Sequence, residues 1–374
     1  MIKIAYCIRA DYKTAIGGDV IQLLKTKEFV EKKYPVQINI ITNPNELNSA
    51  YNIAHIFNLV TRAETTAFIH KAKSLNIKIA LSTIFWDYTY GASRDYAEIL
   101  GYKVYNSFIG LTITWLTKIS GYLFNKPRVI GKPMRKYMKD CVMSADVLLP
   151  NSIEELQKLA AFVHLDFNDL NQKTVVVYNA TTIPENADTH DNELIAKYQL
   201  PKNYILQVGR IDYTKNQLAV LLALQNHKEI PIVILGRPND KVYYKKVKQA
   251  ASKRGNVFFV DEVPHHETYI FFKNAALHIL PSLRESPGLV NLEALLNKCK
   301  IVVSGNDFLP FNTYFKDIAI SVNPYSLPSI RKGIFRELNT NRDMEEISKS
   351  IETKFNWAIT AEQTYSAYTK IMAL

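Results

Sequence analysis

The sequence predicts an α/β protein built as two doubly wound lobes. Short runs of Val, Ile and Leu recur without strict alternation, and an amphipathic helical stretch follows almost every one of them. A polar, proline-interrupted passage from Ala180 to Leu200 then divides the series in two. Apolar runs that do not alternate are the signature of parallel strands covered on both faces. At 374 residues the chain is long enough for two full cores.

The first lobe opens with the strand IKIAYCI, a helix over Asp19–Lys33 and the strand VQINIIT. IAHIFNL, a helix over Ala63–Ser74 and IKIALS continue it; VLLP, a helix over Ser152–Phe162 and TVVVYN finish it. The second series begins at YILQVG and runs through a helix over Asn216–Asn226, IPIVILG, a helix over Lys241–Lys253 and NVFFV. A helix over Glu267–Ala275, LHIL, an apolar helix after Pro287 and KIVVS complete it. Helical patterning resumes from Asp343 to Met372, interrupted at Phe355-Asn356-Trp357. Tyr365, Tyr368 and Met372 then share one face of a closing helix. The expected boundaries are a first lobe at 1–185, a linker at 186–200, a second lobe at 201–354 and a terminal helix at 355–374, with a cleft between the lobes.

Composition narrows the class of partner. Cys7, Cys141 and Cys299 lie far apart and outside any metal-ligand spacing, and the N-terminus has no signal-peptide architecture, so a cytoplasmic protein is expected. A net charge of +11 favours nucleic acid, anionic lipid or a phosphorylated small molecule as partner. No CxxC finger, GXXG clamp or aromatic RNA-binding strand pair is present, so nucleic acid ranks last. From Val104 to Phe124 the chain is weakly charged and aromatic, and Lys126, Arg128, Lys132, Arg135, Lys136 and Lys139 follow. That pattern fits a segment lying on an anionic membrane surface, and equally a helical hairpin packed on its own lobe with a solvated basic face.

The chemistry concentrates in PSLRESPGLVNLEALL, residues 281–296. It follows the strand LHIL, and the C-terminal ends of strands border the crevice where open α/β sheets bind ligands. Ser286 is placed to cap the next helix, Pro287 suits its first position, and Gly288 permits close approach to the backbone. The free N–H groups of that first turn favour phosphate oxygens. Glu293 sits within a helix that is apolar nearly all round, so its carboxylate needs a partner. A ribose diol supplies one; a nearby Lys or Arg would serve as well. Glu285, just before the helix, either meets hydroxyls beyond the phosphates or faces solvent.

Cations come from VGRIDYTKN, where Gly209 ends a strand and Arg210 and Lys215 precede a helix. Two such charges would hold a diphosphate and stabilise negative charge growing on it as a bond breaks. Gly17 and Gly18, at a strand-to-helix turn, allow backbone contact with a phosphate or sugar. The pair lacks the GxGxxG spacing, and no P-loop lysine motif occurs, which disfavours a nicotinamide dehydrogenase and a nucleotide-hydrolysing enzyme. His265 and His266 either cap a helix or border a base pocket; His55, His70 and His164 are scattered. With no HExxH and no DxD, no metal site is expected.

These residues carry a family resemblance. ESPGLVNLE fits the E-x7-E pattern of the retaining GT-B-fold glycosyltransferases of family 4, a group that includes bacterial polysaccharide and lipopolysaccharide transferases. VGRIDYTKNQ, the GGDV loop and the ending FNWAITAEQTYSAY resemble the family around it. The resemblance spans nearly the whole chain, and is strong over the second lobe and thin over the first. It implies two Rossmann-like lobes facing across a deep cleft, with the C-terminal helix returning to the first. The first lobe would read the acceptor and the second would bind the donor.

Position by position, the resemblance implies that Glu293 holds the ribose of a nucleotide-diphosphate sugar and Glu285 contacts the transferred sugar. Arg210, Lys215 and the backbone from Ser286 through Pro287 and Gly288 to Leu289 would bind the diphosphate, with Gly209 beside them. Gly17 and Gly18 would close over the donor from the first lobe. The implied reaction is metal-independent, retaining transfer of a hexosyl-type sugar to a saccharide or lipid-linked acceptor, at the cytoplasmic face of the inner membrane. The chain departs from the family pattern in three places: at Pro287, at Asn179-Ala180, and in IALSTIFWDY, which lacks the usual first-lobe histidine. Ser82, Thr83 and Asp87 are the candidates for that floor. An epimerase or phosphorylase of the same architecture and a non-catalytic nucleotide-sugar binder are the rival readings. Intact Arg210, Lys215, Glu285 and Glu293 speak against the last.

Overall fold

The computed structural model describes residues 1–15, 17–87, 132–182 and 191–373. They fall into two units, one of 1–87, 132–180 and 355–373, the other of 181–182 and 191–354. The segment Val104–Phe124, with Lys126 and Arg128, lies outside the described residues, as does 186–190 of the expected linker. Among the described residues no helix is long and apolar enough to cross a membrane.

The first unit holds β1 (Ile2–Cys7), β2 (Val36–Ile41), β3 (Ile53–Phe57), β4 (Lys78–Ser82) and β5 (Val147–Leu148). They form a parallel sheet in the order β2-β1-β3-β4-β5, with Ile2 opposite Val36 and Ile53 opposite Lys78. The inner strands are buried on both faces, as their unbroken apolar runs require. α1 (Gly18–Lys33), α2 (Arg62–Ser74), α3 (Lys132–Ser144), α4 (Ile153–Val163) and α5 (Phe167–Gln172) connect or flank them.

TVVVYN does not become a strand. Only Thr174 makes a bridge, to Leu148, although the N–H groups of Val175 and Val177 donate to Leu148 and Pro150 at 2.9 Å. Pro150 has no N–H to return, so the ladder is broken at its middle.

The second unit contains α6 (Asp191–Tyr198), β6 (Tyr204–Val208), α7 (Gln217–Ala223), β7 (Ile232–Leu235), α8 (Lys241–Arg254) and β8 (Val257–Val260). It continues with α9 (Tyr269–Asn274), β9 (Ala275–Leu280), α10 (Leu289–Leu296), β10 (Ile301–Ser304), α11 (Phe311–Tyr314), β11 (Ile320–Val322), α12 (Leu327–Asn339) and α13 (Met344–Lys354). All six strands are parallel, in the order β11-β10-β9-β6-β7-β8. From β6 the chain builds outward one way and from β9 the other. The order therefore reverses between β6 and β9, and the loops after these two strands face the crevice left at such a switch point.

The chain re-enters the first unit as α14 (Trp357–Met372), which packs against α1. The Tyr34 and Tyr365 rings stack at 3.9 Å, Lys33 pairs with Glu362 at 3.1 Å, and Thr360 Oγ1 donates to the Tyr178 carbonyl at 2.8 Å. The buried face of α14 runs through Trp357, Ala361, Thr364, Tyr368 and Ile371. Met372, expected on that face, is exposed, because Ile371 continues the stripe one residue earlier. The two units with α14 returned to the first make a GT-B-like fold.

Candidate active site

Two loops at the switch point of the second unit carry most of the expected residues. After β6 the chain turns at Gly209, whose φ of +141° matches that of Gly236 after β7. A Cβ on Gly236 would lie 2.3 Å from the Gly209 carbonyl oxygen, so these turns rest backbone on backbone and Gly236 admits no side chain. The carboxylate of buried Asp212 then accepts from the N–H groups of Thr214 and Lys215 at 3.0 and 3.2 Å and from the Thr214 hydroxyl at 2.5 Å. This Asx-type turn sets the direction of Lys215. Asn216 adopts a φ of +62° and donates through Nδ2 to the Pro281 and Pro324 carbonyls at 3.1 and 2.8 Å. With Leu283 N–H donating to the Thr214 carbonyl at 2.8 Å, it ties the loop after β6 to the loop after β9.

The tie brings Lys215 and Glu285 into contact, Nζ against Oε1. Their side chains are only 17% and 10% exposed, so the acid is not solvent-facing. Glu285 N–H donates to the Phe308 carbonyl at 2.9 Å, which anchors the acid's backbone from the loop after β10. Gly288 has a φ of +87°, and a Cβ there would stand 3.3 Å from Cγ and Cδ of Glu285. The carboxylate thus leans over the start of α10.

The capping expected here is corrected. Gly288 is the N-cap and Leu289 the first helical residue, so Ser286 does not cap and Pro287 precedes the helix; the Ser286–Pro287 peptide is cis. The positive φ at 288 is a conformation glycine adopts freely, and the helix can begin only after it, with Asn291 N–H donating to the Gly288 carbonyl at 3.0 Å.

Arg210 is half exposed, its Nε 3.9 Å from Asp212, while its carbonyl accepts from Gln217 at 2.9 Å. Its backbone is fixed and its guanidinium remains open to an anion. Glu293, one turn into α10, has 17% of its side chain exposed and meets His265 Nε2 at 3.2 Å. Within the protein its partner is a histidine from the loop between β8 and α9, where the sequence offered a ribose diol or a nearby Lys or Arg. Beneath these groups Gln207, Gln217, His278, Ser282 and Asn291 are buried, and Gln207 Nε2 donates to the Lys215 carbonyl at 2.7 Å. Burial pushes the His278 imidazole down to about 3, so this polar floor is uncharged at neutral pH.

Gly17 and Gly18 lie in the other unit, at the start of α1. Arg9, at the end of β1, shapes their loop: it pairs with Asp11 at 2.6 Å and Asp19 at 3.3 Å and donates to the Ala15 carbonyl at 2.5 Å. Of the floor candidates, buried Ser82 bonds His55 at 2.8 Å and buried Thr83 donates to Glu155; Asp87 is exposed. Sequence reasoning missed Arg9, Asp212, Asn216 and Gly236. The Asp-x-Thr step after β6 and the glycine closing IPIVILG were the available signals. Among the described residues no group of three or more His, Cys, Asp or Glu side chains gathers as a metal site.

Residues 191–348 match the family model of glycosyl transferases group 1, a span covering nearly all of the second unit. The serotype-specific mannosyltransferase WbdA of Escherichia coli is 24% identical over 268 residues, 67% of this chain and 32% of WbdA. The chain thus spans about a third of the length of that relative. Among solved structures, sucrose-phosphate synthase from Thermosynechococcus elongatus superposes with a TM-score of 0.73 at 14% identity, covering 100% of both chains. Anabaena HepE in complex with UDP and glucose gives 0.68 at 12% identity, covering 99% of this chain and 100% of that one. The structural likenesses show the GT-B fold, and the match to the glycosyl transferases group 1 model falls within the second unit.

Proposed function

We propose that the chain is a retaining glycosyltransferase that moves a hexosyl group from a nucleoside-diphosphate sugar to a saccharide or lipid-linked acceptor, in the assembly of a surface polysaccharide. One observation carries the reading: Lys215, Glu285 and the open guanidinium of Arg210 are arranged by the two loops of the switch point, with Lys215 and Glu285 in contact at the start of α10. The mannosyl transfer of WbdA supports a hexosyl donor, and the UDP and glucose bound by HepE support a nucleotide-sugar one.

In this scheme the diphosphate lies against the N-terminus of α10, at the positive end of the helix dipole, where the first N–H groups point toward it. Arg210 and Lys215 face its oxygens. As the bond from the anomeric carbon to the phosphate oxygen breaks, negative charge grows on the diphosphate, and the two cations stabilise it where it forms. Glu285, already seated beside Lys215, accepts from hydroxyls of the transferred sugar. Glu293 accepts from the ribose hydroxyls, exchanging its contact with His265. Bare backbone at Gly209 and Gly288, with Ser286, Pro287 and Leu289, shapes the groove around the donor.

The attacking hydroxyl approaches the face that the phosphate leaves and gives its proton to the departing oxygen, so the anomeric configuration is kept. The first lobe, 1–185, receives the acceptor, and the second, 201–354, holds the donor. The positive charge of the chain favours an acceptor presented at an anionic cytoplasmic membrane face.

Calorimetric titration of the chain with UDP, GDP and their common hexose conjugates tests the donor. One nucleotide should bind, and Glu293→Ala should weaken it by roughly tenfold or more if a charged hydrogen bond to the ribose is lost. Unchanged affinity in that variant removes Glu293 from the ribose. With the donor known, proton NMR of the product reads the anomeric configuration, and inversion would refute retention. Full activity in excess EDTA is expected; a requirement for added magnesium would contradict the cation-only scheme.

A further inference from the structure

Glu293 is the acid that the reading above gives to the ribose, and its carboxylate already has a protein partner. α10 is buried along Leu292, Ala294, Leu295 and Leu296. The Glu293 carbonyl accepts from the N–H and Nδ2 of Asn297 at 3.1 and 2.8 Å, so the backbone of the acid is fixed. Its side chain is 17% exposed, and Oε1 lies 3.2 Å from His265 Nε2. Among the described residues no other side chain hydrogen-bonds or pairs with that carboxylate.

The two partners differ in freedom. The His265 side chain is 64% exposed, while its backbone is held. Thr268 donates to the His265 carbonyl through its N–H, at 3.2 Å, and through its hydroxyl, and Glu267 N–H donates to the Pro264 carbonyl at 2.8 Å. The Glu267 carboxylate is taken up by Lys197, at 2.8 Å, and by the Tyr198 hydroxyl, both on α6. The imidazole can therefore turn out to solvent without the loop moving, whereas the carboxylate stays with α10.

We propose that His265 is a positioning residue that acts through Glu293, competing with the ribose of the donor for that carboxylate. The inference rests on the ribose role given to Glu293 above. A vicinal diol engages both carboxylate oxygens, one per hydroxyl, so Oε1 has to be released before the donor is fully seated. Apparent affinity is then the intrinsic affinity scaled by the fraction of molecules in which the imidazole has let go. Protonation strengthens the hold, because an imidazolium facing a carboxylate is a charged pair and a neutral ring is not. The titratable and charged groups around the imidazole are Glu293 from α10 and His266 and Glu267 of its own turn, with Lys197 of α6 behind Glu267. As pH falls through the imidazole range the contact tightens and donor affinity drops; as pH rises the contact loosens and affinity recovers.

The chain is titrated by calorimetry with UDP-glucose and with GDP-mannose at pH 6.0 and 8.0, an interval in which neither sugar nucleotide changes charge. The one that binds should do so roughly two- to fivefold more tightly at pH 8.0, the effect of one exposed ion pair. His265→Ala should keep its thermal midpoint, bind more tightly than wild type at pH 6.0 and lose the pH slope, while His266→Ala retains the slope. Equal or weaker binding by His265→Ala at pH 6.0, or a slope that survives in it, would overturn the proposal. A second readout needs no nucleotide: in proton NMR the His265 imidazole should titrate at lower pH in Glu293→Gln than in wild type, and an unchanged titration would refute the contact itself. A wild type that binds neither sugar nucleotide would refute the donor reading, and the competition with it.

Discussion

Arg210 and Lys215 are both cations of one loop, yet their surroundings differ. Lys215 is largely buried against Glu285, whereas Arg210 is half exposed and only loosely held by Asp212. A group without a strong partner in the free protein has most to gain where charge appears in the transition state. Arg210→Ala should therefore lower kcat by roughly 10²–10³-fold, with a much smaller change in donor Kd. Steady-state kinetics with calorimetry on the same variant checks this, and equal losses in both would place Arg210 in ground-state binding. Arg210, Lys215, Glu285 and Glu293 were all singled out from the sequence, the first three because they lie on the loops that follow two strands and Glu293 because it is an acid within an apolar helix. Their partners were not. That residue 265 meets residue 293 depends on β8 and β9 lying three positions apart in the sheet, with β6 and β7 between them, which no local spacing encodes. The N-cap was misread for a related reason: Ser-Pro-Gly offers three plausible starts, and the positive φ of Gly288 decides among them.

Strands and helices with strong periodicity were found within a few residues, including β1, β4, β6, α1 and α10. β11, α11 and α12 were not, since the strand is only three residues long and α11 only four. α12 did carry a start signal, Ser326 accepting from Ser329 N–H with a proline in the first turn. Gly333 within it explains the weak pattern: a Cβ there would come 2.3 Å from Val322 Cγ1, so the helix presses backbone onto β11 where a large apolar residue would normally sit.

The return of α14 rests on a buried polar chain that composition does not announce. His55 Nε2 meets Ser82 at 2.8 Å, His55 Nδ1 meets the Tyr368 hydroxyl at 2.7 Å, and that hydroxyl donates to Tyr6 at 2.8 Å. Tyr368→Phe would leave His55 and Tyr6 short of a partner in a fully buried place, at a cost of about 1–3 kcal/mol. Urea unfolding would show it, and a change below about 0.5 kcal/mol would mean the chain does not hold the helix.

At the scale of the molecule, two buried histidines set a pH limit. Burial lowers the pKa of both His55 and His278 to about 3. An unfolded imidazole takes its proton near 6.5. Between those values the unfolded chain binds more protons than the folded one, so stability falls as pH drops from about 6.5 toward 3, and above that window the two add no slope. The urea midpoint at pH 5 should lie below that at pH 7.5, and His55→Gln should flatten the difference while lowering stability at neutral pH. A midpoint that holds or rises on acidification would contradict the burial argument.

The two-unit organisation was legible at this scale because unbroken apolar runs leave parallel, doubly covered sheets as the only economical arrangement. The strand orders, and hence the switch points, came from the structure. The central claim is that a nucleoside diphosphate lies at the start of α10, between the loops that follow β6 and β9. A crystal structure of the chain with the nucleotide selected by calorimetry tests it most directly. The account predicts phosphate oxygens within about 3 Å of Arg210, Lys215 and the first N–H groups of α10, with the ribose on Glu293. A nucleotide bound elsewhere, with Lys215 and Glu285 undisturbed, would contradict it.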